Sequence, residues 1–82
     1  RIAVYGGSHG GFSAGWLIGH PDSKDLFRTS ILWNPVINMS YMQSITDIPD
    51  WMSACCWNKP FSYELSNKEN QDLFDRSPIS VV

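Results

Sequence analysis

A serine near the start of the chain is surrounded by glycines in a pattern that could make it a nucleophile. Residues 6–11 read GGSHGG, so Ser8 is the centre of a Gly-x-Ser-x-Gly pattern between Gly6 and Gly10. A serine hydroxyl attacks a carbonyl carbon once a base removes its proton, so it must be accessible to both the base and the substrate. Glycines two positions before and after a serine leave room for a strained turn that exposes the hydroxyl. The spacing therefore predicts a nucleophile elbow at Ser8.

The residues on either side of the glycines predict the elements that an elbow needs. Ile2–Tyr5 is a short apolar run that predicts a strand, and the following segment predicts a helix. We expect this helix to begin at Gly10 or Gly11 and to end before Pro21, because the residue before a proline avoids the helical region. Phosphate-binding loops are also rich in glycine, but neither of their characteristic spacings occurs here.

A second strand is predicted at Thr29–Trp33, and Asn34-Pro35 ends it. Strand, turn, helix and strand within this length form a parallel crossover, which indicates an α/β fold. Ligands of open α/β sheets bind outside the carboxyl ends of the strands. Ser8 and Asn34-Pro35 are both expected at that edge.

The second half of the chain has weaker patterns. The apolar spacing within Val36–Ser44 predicts a short helix, and Thr46–Trp51 is expected to be a loop that leads into another. Ser62–Asn70 is polar and is predicted to lie on the surface. Leu73–Asp75 is predicted to close a short helix before Ser77-Pro78.

Composition excludes several function classes. The 82 residues are 43% hydrophobic and carry a net charge of −2, so there is no basic footprint for nucleic acid. No apolar run approaches the length of a membrane span, and no signal peptide is visible. Cys55 and Cys56 are adjacent and lack metal-ligand spacing. Two reduced thiols favour a reducing compartment, so we expect a cytoplasmic location.

The ends of the chain suggest part of a larger protein. The first residues already belong to a predicted strand, and an apolar run begins at Ile79 where the chain ends. Buried parallel strands need neighbours on each side, and 82 residues cannot supply them. We therefore expect residues 1–82 to be a fragment of a larger domain.

Four sequence blocks together point to a family. After GGSHGGF at residues 6–12 come NPVIN at residues 34–38, TDIPDW at 46–51 and SPI at 77–79. In this order they resemble the acylaminoacyl-peptidase branch of the prolyl oligopeptidase family of serine peptidases. The resemblance implies that residues 1–82 belong to an α/β-hydrolase catalytic domain preceded by a β-propeller. The whole protein would then remove N-acylated amino acids from blocked peptides, form homo-oligomers and need neither a metal nor an organic cofactor.

The resemblance also assigns roles to residues. Ser8 would be the nucleophile, and the backbone N–H of His9 would supply one donor of the oxyanion hole. Val36, Ile37 and Trp51 match positions that line the pocket for the acylated residue.

The base of the reaction is missing from the chain under this interpretation. The catalytic Asp and His of the family follow the serine and lie beyond SPI. His9 is expected to point away from the serine, and His20 lies about 13 Å along the helix, so neither can accept a proton from Ser8. We therefore predict that residues 1–82 alone are inactive, because a serine hydroxyl needs a base.

Other functions remain open from the sequence. A dipeptidyl peptidase, an esterase or a lipase-like enzyme would share the elbow. A non-catalytic interaction module with the same fold is a further alternative, but it would not need to keep Ser8 together with both flanking glycines.

Overall fold

The computed structural model describes residues 1–81, which form a small parallel sheet followed by helices. The sheet consists of β1 (Ala3–Gly7) and β2 (Thr29–Trp33). The α-helices are α1 (His9–Gly19), α2 (Met39–Ile45), α3 (Asp50–Trp57) and α4 (Asn67–Asp75). Two short 3₁₀ helices cover Lys24–Leu26 and Pro78–Val81.

The parallel pairing that the sequence predicted is confirmed. β1 pairs with β2 in a register that places Ala3 opposite Thr29 and Gly7 opposite Trp33. α1 connects the two strands and packs on the face that carries Leu32. The opposite face carries Tyr5, Ile31 and Trp33. These side chains are 58–68% exposed, so no described residue covers that face.

The turn between β1 and α1 is tighter than the sequence predicted. β1 continues through Gly6 and Gly7 instead of ending at Tyr5, and α1 begins at His9 instead of at Gly10 or Gly11. Ser8 is the single residue between strand and helix. The two glycines pair in the sheet because Leu32 lies opposite Gly6 and Trp33 lies opposite Gly7.

The polar segment at residues 62–70 is mostly exposed, as the sequence predicted, and α4 begins within it. Ser66 caps this helix: its hydroxyl accepts a hydrogen bond from the Glu69 N–H (3.1 Å), and the Glu69 carboxylate accepts one from the Ser66 N–H (3.3 Å). This reciprocal capping box satisfies two N–H groups that a helix start leaves without partners. α4 therefore begins at Asn67, and it ends at Asp75, where the sequence predicted a helix to close.

The hydrophobic core lies among the helices rather than on the sheet. Val36, Met39, Met52 and Leu73 are buried and contact one another. Ser77 lies beside them with no exposed surface; its hydroxyl donates to the Leu73 carbonyl (2.6 Å) and accepts from the Met39 N–H (2.8 Å). The start of α2 and the end of α4 are thus joined through one buried hydroxyl. None of the helices within residues 1–81 is long and apolar enough to cross a bilayer.

A carboxylate connects α3 to α4. Asp72 accepts a hydrogen bond from the Trp57 indole N–H (2.6 Å) and another from the Arg76 guanidinium (3.1 Å). Arg76 also donates to the Cys56 carbonyl (2.9 Å). The indole hydrogen bond, followed by the bond and charge of Arg76, lowers the pKa of Asp72 below its ordinary value.

Acidification is therefore expected to loosen the packing of α3 on α4. A carboxylate whose pKa is lowered by folding stabilises the folded state above its unfolded pKa, and this contribution is lost as pH falls through the lower folded pKa. Between about pH 6 and about pH 3, we expect the amide protection of α3 and α4 in the full-length protein to fall. The fall should be twofold to about fivefold larger than in a protein without the Asp72 carboxylate. Hydrogen-exchange mass spectrometry of wild type and Asp72→Asn measures that extra loss, which the variant should lack. Asp75→Asn, a change on the same helix, should keep it; an identical profile in both variants would contradict the role of Asp72.

Candidate functional site

Ser8 has a strained backbone conformation at the carboxyl edge of the sheet. Its φ is 52° and its ψ is −118°, a combination outside the regions that residues other than glycine normally occupy. The residue is exposed, and its side chain does not cap α1. The hydroxyl is therefore accessible and is not used to begin the helix.

The backbone of Ser8 is held by hydrogen bonds on both sides. Its N–H donates to the Trp33 carbonyl (2.9 Å), and its carbonyl accepts from the N–H groups of Phe12 (3.2 Å) and Val36 (3.3 Å). The strained turn is thus fixed to the end of β2, to the first turn of α1 and to the segment after β2. Structures that keep such a conformation surround it with compensating interactions of this kind.

Two glycines allow this close packing. A Cβ on Gly6 would lie 2.1 Å from the Gly10 carbonyl oxygen, and a Cβ on Gly11 would lie 2.7 Å from Cβ of Pro35. Apart from its chain neighbours and the nearby backbone of α1, a Cβ on Gly10 would meet no atom of residues 1–81 within 4 Å. The predicted role of Gly10 in leaving room for the turn stays a prediction. Gly11 is the glycine of α1 that packs closely in the described residues, because it faces Pro35.

The start of α1 contributes the group that the sequence predicted for the oxyanion hole. The His9 N–H belongs to the first turn, where N–H groups have no partner within the helix and the helix dipole favours negative charge. The His9 imidazole stacks on Phe12 with ring centroids 5.4 Å apart. It also meets the edge of Trp51 at 6.3 Å. His9 thus contributes a backbone donor beside Ser8 and an aromatic contact between α1 and α3.

The three predicted pocket residues do not share one cavity. Val36 is buried in the core, and its N–H reaches Ser8. Trp51 is half-buried and lies against His9. Ile37 is 42% exposed and lines a separate apolar cavity of about 250 Å³. The other residues of that cavity are Gly15, Ile18, Leu32, Pro78 and Ile79.

His20 lies at the other end of α1, as its sequence position indicated. It follows the last residue of the helix, and its Nδ1 accepts a hydrogen bond from the Asp22 N–H (3.2 Å). Within residues 1–81 no group of three or more His, Cys, Asp or Glu side chains is arranged to hold a metal ion.

The sequence interpretation missed the conformation of Asn34. This residue has a φ of 41°, in the left-handed region, and directly follows Trp33, the residue opposite Gly7. Asparagine tolerates this region better than most residues, so its residue type was a partial signal that does not decide between this region and an extended backbone.

The chain is similar in sequence to a group of peptidases. A family model described as "Prolyl oligopeptidase family" matches residues 1–82. Along its whole length the chain is 44% identical to the acylamino-acid-releasing enzyme of Arabidopsis thaliana. It is 39% identical to the rat enzyme (Rattus norvegicus) and 38% identical to the human one (Homo sapiens). The chain spans 11% of the length of each of these relatives.

Proposed function

Because the chain belongs to the prolyl oligopeptidase family, we propose that Ser8 is the nucleophile of a serine peptidase. Residues 1–82 would then be the part of an α/β-hydrolase domain that carries the nucleophile elbow. The observation that supports this most is the backbone of Ser8, which is strained, exposed and located between a parallel strand and a helix. A structural serine has no need of such a conformation.

The proposed reaction starts with the Ser8 hydroxyl. A base removes its proton while its oxygen attacks the carbonyl carbon of the scissile bond. The negative charge that develops on the carbonyl oxygen would be stabilised by the His9 N–H at the start of α1. The base then gives its proton to the leaving amine, and water releases the acyl group from Ser8 by the same steps. We propose that the base is a histidine, paired with an aspartate, in a part of the protein that follows residue 82.

The proposed substrate is a peptide with an acylated N-terminus, from which the enzyme releases the N-acylated amino acid. Whole-length similarity to proteins named acylamino-acid-releasing enzyme supports this choice. Val36, Ile37 and Trp51 remain the predicted pocket residues. The contact of Trp51 with His9 supports one of them, whereas Val36 reaches Ser8 only through its backbone N–H. Ile37 has only its position in the sequence in its favour.

Several further features belong to the same proposal. The whole protein would carry a β-propeller before this domain, act without a cofactor and form a homo-oligomer. Residues 1–82 alone would be inactive, because the proposed base lies outside them. A cytoplasmic location is supported by Cys55 and Cys56, which are both free thiols.

A substrate panel tests the proposed specificity. We expect the full-length protein to hydrolyse acetylalanyl p-nitroanilide with a kcat/KM at least about 100-fold above that for unblocked alanyl p-nitroanilide. Faster cleavage of dipeptidyl p-nitroanilides with a free N-terminus would support a dipeptidyl peptidase instead. Preference for p-nitrophenyl esters would support an esterase. No turnover of any substrate, with no labelling by a fluorophosphonate, would support the non-catalytic alternative.

A further inference from the structure

We propose that Asn34 is a positioning residue that holds Ser8 in its reactive backbone conformation. This inference rests on the proposed role of Ser8 as nucleophile. It assigns no contact with the substrate to Asn34. It would set the path of the chain after β2 so that this segment hydrogen-bonds to the backbone of the serine turn.

The register of the sheet places Asn34 beside Ser8. Gly7 is paired with Trp33, so Ser8 and Asn34 are the first residues beyond the ends of the two neighbouring strands. Both have a positive φ, 52° for Ser8 and 41° for Asn34. Asn58 is the one other non-glycine residue with a positive φ within residues 1–81, and it lies at the end of α3.

Two of the three backbone hydrogen bonds of Ser8 are made with Trp33 and Val36, which flank the Asn34-Pro35 segment. The Trp33 carbonyl accepts from the Ser8 N–H (2.9 Å), and the Val36 N–H donates to the Ser8 carbonyl (3.3 Å). Both groups reach the same residue because the chain turns sharply at Asn34. Pro35, within this turn, packs closely against Gly11 of α1. The segment from Trp33 to Val36 therefore contacts both the serine turn and the helix that follows it.

The residue type at position 34 decides whether this turn can form. Pro35 disfavours the right-handed helical region for residue 34 and favours an extended backbone. The left-handed conformation of residue 34 therefore depends on a residue type that enters this region easily. Asparagine and glycine enter the left-handed region easily, whereas alanine strongly prefers the extended one. An extended residue 34 would redirect the chain and withdraw the Val36 N–H from the Ser8 carbonyl. The serine would then lose one of the bonds that hold its strained conformation.

The experiment compares four variants of the full-length protein by kcat, KM and the rate of labelling by a fluorophosphonate. Asn34→Ala is expected to lower kcat and the labelling rate about tenfold or more, with KM within about twofold of wild type. Asn34→Gly should stay within about threefold of wild type, because glycine accepts the same φ. Asn58→Ala is the matched control: it removes an asparagine with a φ of 51° at the α3 cap, and it should leave kcat unchanged. Ser8→Ala should abolish labelling.

The outcomes separate this inference from the proposed function. Full activity of Asn34→Ala, or an equal loss in Asn34→Gly, would overturn the positioning role while Ser8 remained the nucleophile. Equal losses of kcat in Asn34→Ala and Asn58→Ala would also overturn it, since they would show a general effect on stability. Should Asn34→Ala fail to fold, Asn34→Gly decides alone, and a loss beyond about threefold contradicts the inference. Labelling that persists in Ser8→Ala would instead refute the proposed function.

Discussion

Replacement of Ser8 by alanine is expected to lower kcat/KM of the full-length protein by about 10⁴-fold or more and to abolish its labelling by a fluorophosphonate. Under the proposed function the variant lacks the atom that attacks the substrate, so only the catalysis that binding and the oxyanion hole provide would remain. Stability should change little, because the Ser8 side chain is exposed and caps no helix. The unfolding midpoint of the variant, measured beside its kinetics, separates lost chemistry from lost structure.

Ser13→Ala is the matched control for this variant. Ser13 is an exposed serine of α1, five residues after Ser8, on a backbone of ordinary helical geometry. Its replacement should leave kcat/KM and the labelling rate within about twofold of wild type. If Ser8→Ala kept more than about 1% of wild-type activity, the nucleophile would have to be another residue.

The strand, turn, helix and strand that carry Ser8 were predictable because local signals agreed there. Ile2–Tyr5 and Thr29–Trp33 are apolar and rich in strand formers, and glycines mark the turn between strand and helix. Their parallel pairing follows from the helix between them, since a crossover of this kind returns the chain in the same direction. The extension of β1 through Gly7 was less predictable. It depends on the backbone of Trp33, which lies far away in sequence.

The start of α4 has a local sequence signal that hydrophobic spacing does not detect. Leu73 is the one residue of this helix that is fully buried. With so few apolar residues, hydrophobic spacing identified only the end of α4. The start is determined by hydrogen bonds between Ser66 and Glu69, and the Ser-x-x-Glu spacing at residues 66–69 was visible in the sequence. The capping pattern was therefore the better guide to this helix.

The conformation of Asn34 could not be derived from the sequence. Asparagine before proline is compatible with both an extended and a left-handed backbone. The choice between them depends on contacts with residues more than twenty positions away, such as the bond from the Val36 N–H to the Ser8 carbonyl and the packing of Pro35 on Gly11. Such contacts exist only after α1 has folded onto the sheet. The sequence thus identified the nucleophile candidate but not what supports its backbone.

The sequence also could not predict which glycine of the turn has a close atomic contact. The Gly-x-Ser-x-Gly pattern treats Gly6 and Gly10 alike. In the structure the Cβ direction of Gly6 points at the backbone of Gly10, whereas that of Gly10 points into space that no described residue occupies. Of the two glycines in the pattern, Gly6 is therefore the one whose missing side chain lets β1 and α1 approach at this point. The two positions should respond differently to the same substitution.

Gly6→Ala is expected to be among the most damaging single changes in this part of the protein. Its Cβ would lie 2.1 Å from the carbonyl oxygen and 2.4 Å from the carbonyl carbon of Gly10. Both are backbone atoms, so α1 must move relative to β1, and Ser8 between them must move as well. We expect a loss of about 3 kcal/mol in the free energy of unfolding and a fall of about 100-fold or more in kcat. Chemical denaturation and steady-state kinetics of the full-length variant measure the two effects.

Gly10→Ala provides the contrast that makes this prediction specific. Apart from its chain neighbours and the nearby backbone of α1, its Cβ meets nothing within 4 Å among residues 1–81. Its position within α1 favours alanine over glycine by up to about 1 kcal/mol. The variant should therefore be at least as stable as wild type, with kcat within about threefold of it. Equal damage from the two substitutions would show that both glycines are packed closely in the whole protein, and the asymmetry derived from the described residues would be wrong. A large loss in Gly6→Ala alone would establish that the turn depends on one contact, between the end of β1 and the first turn of α1.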